Sequence, residues 1–157
     1  MKLLTTYFAL IVLITTCNST KFVNSKNTAV NFEQYQTTLI YNAFTRGFFQ
    51  ELIITETNFT AYKDYEKLNP ISKNLDPKKW EACLELLDQI DLKSLPNLES
   101  PTNRRQFDGA AFAQLTVIQK GDTIQSSSFD HKHPPLKLKP LVEYIFNLFK
   151  NKGNSTV

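Results

Sequence analysis

Both histidines of the chain lie in one short run, Asp130-His131-Lys132-His133. A second polar run, Arg104-Arg105-Gln106-Phe107-Asp108, precedes it. Between them, residues alternate in character from Ala110 to Gln119, turn at Lys120-Gly121 and return from Thr123 to Phe129. That is the pattern of a β-hairpin. If Lys120 and Gly121 are the two loop residues, Gln119 faces Asp122. Counting outward puts Phe112 opposite Phe129, Ala111 opposite Asp130 and Asp108 opposite His133. A one-residue bulge would shift this register and keep the two segments adjacent. Arg104, Arg105, Asp108, Asp130, His131 and His133 are therefore expected at the open end of one hairpin.

Three chemistries suit such a cluster. His131 and His133 at i, i+2 on an extended segment project from one side, and Asp130 or Asp108 would complete a metal site. A lone His-x-His pair is a weak signal of that kind. Arg104 and Arg105 with the two histidines would bind a phosphate or carboxylate, because the guanidinium fork suits such groups. The third reading is structural: Asp108 and Asp130 accept backbone N–H bonds at turns while an arginine pairs with one of them. It needs no ligand.

Other reactive groups read as scaffold. Cys83 falls on the apolar stripe of a helix and is expected to be a core thiol. Glu81 and Glu85, at i, i+4, belong to a solvated helix face. Gly47 and Gly121 are isolated turn glycines, so no phosphate-cradling loop exists. No Ser, Thr or Cys stands beside a base, and no catalytic residue, metal set or cofactor motif is found. The aromatics Tyr41, Phe44, Phe48, Phe49, Phe59 and Tyr62 are dense. Phe48 and Phe49, being adjacent, face opposite sides of a strand, so one is expected to meet solvent. With Arg46 they form the expected interaction patch.

The elements that position these residues follow from periodicity. Gln36 to Phe44 alternates and is rich in β-branched and aromatic residues, as a strand requires. Thr45-Arg46-Gly47 turns the chain into a second strand, Phe48 to Thr55. Glu56-Thr57-Asn58 turns it again into a short third, Phe59 to Tyr62. Asp76 and Pro77 announce a helix to about Asp91, as N-cap and first helical residue. Its stripe is Trp80, Cys83, Leu84, Leu87 and Ile90. Leu92 to Asn103 reads as a loop. The hairpin follows, and Pro140 opens a last helix with Leu141, Val142, Ile145, Leu148 and Phe149 on one face. The expected order is β-β-(β)-α-β-β-α. That is an α+β fold: an antiparallel sheet of four to five strands with two helices on one face.

The chain has 157 residues with 41% apolar and 12% aromatic content, enough for one globular domain. Two cysteines exclude a disulfide scaffold, and a net charge of +3 gives no case for nucleic acid. Lys2 followed by the greasy run Leu3 to Ile14 fits a signal peptide and is too short to span a membrane. Ile14-Thr15-Thr16-Cys17 resembles the lipobox of bacterial lipoproteins, though Thr16 stands where a smaller residue is usual. The resemblance implies cleavage before Cys17 and a lipid on it. Two or more acyl chains hold a protein stably, at about 0.8 kcal/mol per buried CH₂. The expected divisions are a signal peptide over 1–16, a polar tether over 17–31, one domain over 32–152 and a tail over 153–157. Asn18, Asn58 and Asn154 begin triplets with the form of glycosylation sequons.

Several short motifs stand out together: Arg46-Gly47-Phe48-Phe49, Trp80 in its helix, Leu95-Pro96-Asn97-Leu98-Glu99-Ser100-Pro101-Thr102, Arg105 with Asp108-Gly109-Ala110, and Asp130-His131 with Pro134-Pro135. Over about residues 36–150 the pattern resembles a group of small secreted or lipid-anchored bacterial proteins. The likeness implies an envelope address and one α+β domain. It carries no activity, so no site residue transfers from it. The expectation is an exported envelope protein: a binding or interaction domain without catalysis or cofactor, anchored through a lipid on Cys17. Its partner would be an envelope protein or a small ligand, not nucleic acid. A periplasmic or secreted soluble protein is the alternative address. The alternative functions are a small metal-dependent or hydrolytic enzyme using Asp108, Asp130, His131 and His133, and an immunity or inhibitor-type protein.

Overall fold

A computed structural model describes residues 37–107 and 109–150. The signal segment, Cys17, the tether, Asp108 and the tail lie outside the described residues.

Alternation builds the sheet. β1, Thr37–Thr45, turns Leu39, Tyr41 and Ala43 to one face, where all three are fully buried. Gly47, at φ +82°, closes a tight turn into β2, Phe48–Ile54. Only a residue without a Cβ takes that conformation at little cost. β3, Asn58–Tyr62, and β4, Ile71–Asn74, extend the sheet on the far side of β2. After the first helix come β5, Phe112–Gln119, β6, Asp122–Gln125, and the two-residue β7, Phe129–Asp130. Lys120 and Gly121, at φ +52° and +87°, form the two-residue hairpin turn.

Every pairing is antiparallel, and the strands run β4-β3-β2-β1-β5-β6, with β7 also on β5. Residues paired across an antiparallel ladder share a face. Tyr41 is opposite Leu52 on one side and Leu115 on the other, and Leu39 is likewise between Ile54 and Val117. Phe59 and Ala61 extend this apolar face through β3.

Two helices cover it. Asp76 accepts the Lys78 N–H at 2.8 Å, and Pro77 begins α1, Pro77–Asp88. Its Trp80, Cys83 and Leu87 enter the core, as do Leu141, Val142, Ile145 and Leu148 of α2, Lys139–Lys150. Burial pushes the Cys83 thiol up to about 12, which makes it inert. No helix among the described residues is long and apolar enough to cross a membrane.

Among the described residues the fold is α+β with both α-helices on one face, and the sheet has seven strands where four to five were expected. β4 is the addition. Ile71-Ser72-Lys73-Asn74 is polar and largely exposed, without hydrophobic alternation. It is a strand because its backbone completes the free edge of β3, aided by Thr60 and Ser72 hydroxyls 3.0 Å apart. The return strand of the hairpin is two strands, β6 and β7. α1 ends at Asp88 rather than Asp91, with Ile90 still packed in the core. The loop after it contains a 3₁₀ turn, Leu92–Asn97, pinned by buried Leu95.

Leu115 lies at the centre of this core and Leu136 is 81% exposed. Leu115→Ala should cost about 2–5 kcal/mol in urea unfolding, whereas Leu136→Ala should stay within about 0.5 kcal/mol. Equal effects would contradict the core described.

Candidate functional site

One extra residue decides the site. β6 ends with Gln125 opposite Thr116, and β7 begins with Phe129 opposite Ala113. Three serines, Ser126 to Ser128, therefore stand against Leu115 and Gln114. This is a β-bulge. Ser126 stabilises it: its N–H donates to the Leu115 carbonyl at 2.8 Å, and its hydroxyl accepts the Leu115 N–H at 3.0 Å. The simple register paired Phe112 with Phe129. In the structure Phe112 pairs with Asp130, and the His131 N–H donates to the Ala111 carbonyl. A shift of one residue exchanges faces. Phe129 and His131 thus turn toward the helices, and Asp130 turns away from them.

Asp130 is fully buried beneath the segment 102–105. Its Oδ2 accepts the Thr102 hydroxyl at 2.5 Å and the Arg104 N–H at 2.7 Å. Its Oδ1 accepts the Arg105 N–H at 2.9 Å and the Arg105 guanidinium at 3.1 Å. The same guanidinium nitrogen donates to the Thr102 carbonyl at 2.8 Å. Burial alone would raise the Asp130 carboxyl; these hydrogen bonds outweigh it and hold the group far below the usual carboxylate range. Both carboxylate oxygens are occupied in fastening one chain segment to another.

His131 has a different environment. Its ring sits 5.2 Å from Phe48 and 5.6 Å from Phe146, centroid to centroid, and its Nδ1 is 2.9 Å from the Tyr41 hydroxyl. The Tyr41 hydroxyl and Nδ1 share one hydrogen bond, whose direction is set by the imidazole tautomer. Burial, then the charges of Lys132 and His133, push the His131 pKa down to about 4. Burial likewise raises Tyr41 above the usual phenol range. At neutral pH both are uncharged.

His131 forms one wall of an open groove of about 460 Å³ between the β1–β2 turn and the end of α2. Phe48, Phe146 and Phe149 supply apolar surface, and Lys63, Lys132 and Lys150 supply charge. Phe48 faces the groove. Phe49 also contributes to its lining, but its ring packs 4.7 Å from Tyr65 on the other side of the sheet. The Tyr65 hydroxyl donates to the Thr45 and Phe48 carbonyls and so braces the turn. Arg46 is exposed at the turn tip and does not line the groove.

The residues expected in one cluster are thus divided. Arg104 and Arg105 meet Asp130; His131 joins Phe48 on the opposite face; His133 is exposed, its N–H on the Asp130 carbonyl. Asp108 is outside the described residues. Among the described residues no three His, Cys, Asp or Glu side chains gather as a metal site. Tyr41 and Phe149 were legible only as core residues, Phe146 fell outside the apolar face read for the last helix, and no spacing marked Lys63 as their neighbour.

Two measurements check these environments. The folded His131 titrates near 4 and an unfolded histidine near 6.5, so protonation favours the unfolded chain. Its contribution to stability is whole above about pH 6.5 and is lost as pH falls toward 4. NMR titration of its ring signals should give a midpoint near 4; one at 6.5 or higher would contradict the Tyr41 packing. Asp130→Asn leaves the buried Arg105 without its counter-charge and should cost about 3–5 kcal/mol in urea unfolding. A loss below about 1 kcal/mol would show that Asp130 does not hold the segment. No protein-family model matches the chain, and comparison with curated proteins finds no match.

Proposed function

We propose that the protein is an exported binding domain, tethered to a membrane through a lipid on Cys17, that takes its ligand in the groove beside His131. One observation carries the binding reading: the groove combines apolar aromatic surface with a few polar and charged donors in one concavity. Its residues provide aromatic surface, amide, imidazole and ammonium, and no hydroxyl, thiol or carboxylate side chain among the described residues. Its volume is in the range of small-molecule sites, about 300–1,000 Å³. Asp130, the most perturbed carboxylate beside it, has both oxygens occupied on the other face. The greasy N-terminal run followed by Cys17 supports the address.

Two experiments test this. Thermal unfolding of the mature protein should be scanned against small acids, bases and neutral amphiphiles. Ligands of the groove should raise the midpoint by a few degrees, and Phe48→Asp, at a half-exposed position, should abolish the rise. No rise with any compound would overturn the binding reading. Separately, Cys17→Ser should move the protein from the membrane fraction to the soluble fraction. Unchanged fractionation would overturn lipid anchoring.

A further inference from the structure

We infer that the groove selects a small amphiphilic anion: one carboxylate or phosphate monoester head on an apolar body. The inference rests on the reading of this domain as a binder and adds the chemical class of its ligand.

The sign of the charge comes first. Lys63, Lys132 and Lys150 border the groove, and none of its described residues is acidic. Among the described residues none of these three lysines is ion-paired with a carboxylate. Three ammonium groups around one concavity repel a cation and attract an anion.

The floor sets the rest of the ligand. Phe48, Phe146 and Phe149 present apolar surface in the same concavity, and the Lys63 ammonium lies 5.5 Å from the Phe149 ring centroid. A fully hydrated ion such as free phosphate would leave that surface in water. An apolar body attached to the anion covers it, at about 25 cal/mol per Å².

His131 fixes where the head goes. Its Nδ1 is taken by Tyr41, so the nitrogen left for a ligand is Nε2. Nε2 has no hydrogen-bond partner among the described residues. In the neutral tautomer whose Nδ1 accepts the Tyr41 hydroxyl, Nε2–H donates to an anionic oxygen without itself requiring a counter-charge.

Lys132 sits at the rim of the groove in the tight turn between Asp130 and His133, at φ +68°. Lys67 and Lys120 take the same left-handed conformation in other turns, so glycine at 132 relaxes the turn while removing the charge.

The test uses the mature protein and four compounds with one ten-carbon chain, below their aggregation concentrations: decanoate, decyl phosphate, decanol and decylammonium. Calorimetry gives affinity, and amide NMR shifts at Phe48 to Gln50, His131 and Lys132 give the place. The two anions should bind at least about tenfold more tightly than decanol. Decylammonium should not bind, and anion affinity should fall with added salt. Lys132→Gly removes the charge and relaxes the turn. It should weaken decanoate about fivefold or more while the urea midpoint holds or rises, which separates lost recognition from lost folding. Decanol or decylammonium binding as tightly at the same residues would overturn the anion selectivity and leave the binding reading standing. Unchanged decanoate affinity in Lys132→Gly would overturn it too, as would silence from all four compounds. In the last case the wider compound scan decides whether the groove binds anything.

Discussion

Three serines between Gln125 and Phe129 occupy the space that two residues would fill in a regular ladder, and three successive side chains take their directions from that surplus. Phe129 enters the core against Tyr41, with ring centroids 6.2 Å apart. Asp130 is turned to the opposite face, where Thr102, Arg104 and Arg105 enclose it. His131 returns to the helix side and meets Tyr41, Phe48 and Phe146. A regular hairpin would place Phe129 beside the half-exposed Phe112, put the aspartate under the helices and leave the histidine outside. The bulge keeps its own backbone satisfied through the Ser126 hydroxyl, so the irregularity leaves the Leu115 N–H with a partner.

The two ionisable neighbours that result have opposite fates. Asp130 stays charged because four hydrogen bonds converge on its two oxygens and replace the water it lost. Such a carboxylate holds structure and is closed to chemistry. His131 lost water and gained aromatic walls and one phenol, so its neutral form is favoured. A neutral imidazole in an apolar wall is a directional donor, suited to orienting a bound group. One residue of separation along an extended backbone therefore divides fastening from recognition.

The groove lies between the β1–β2 turn and the end of α2. The β1–β2 hairpin runs beyond the last β2–β3 pair, Glu51 with Tyr62, and is braced by Tyr65 from the outer face. The last turn of α2 is held by its Leu148 carbonyl, which accepts the Lys73 ammonium, and by Phe149 stacked near Phe59. The β4 edge strand thus supports α2 as well as completing the sheet. Aromatic surface that would ordinarily be core is left facing a cleft, and lysines from three separate parts of the chain ring it.

Much of the framework is legible in the residues themselves. Alternation at Leu39, Tyr41 and Ala43, the Asp76-Pro77 helix start and the stripes of α1 and α2 are local signals, because one element and its own period suffice to place each side chain. The adjacent Phe48 and Phe49 necessarily diverge, and the pairing of Arg104 and Arg105 with an aspartate is compatible with their types. β4 was not legible, since a polar edge strand is specified by the unpaired backbone of its neighbour rather than by its own pattern. Nor was the division of the polar cluster. Strand count along a hairpin tells which residues are near one another, but only the bulge determines which face each one takes, and its position depends on how Phe129 packs against Tyr41, far away in sequence. The sequence by itself determined the elements and their apolar faces. The tertiary structure alone decided that Asp130 would fasten and His131 would line a cleft, because facing is a property of the paired ladder and not of either strand.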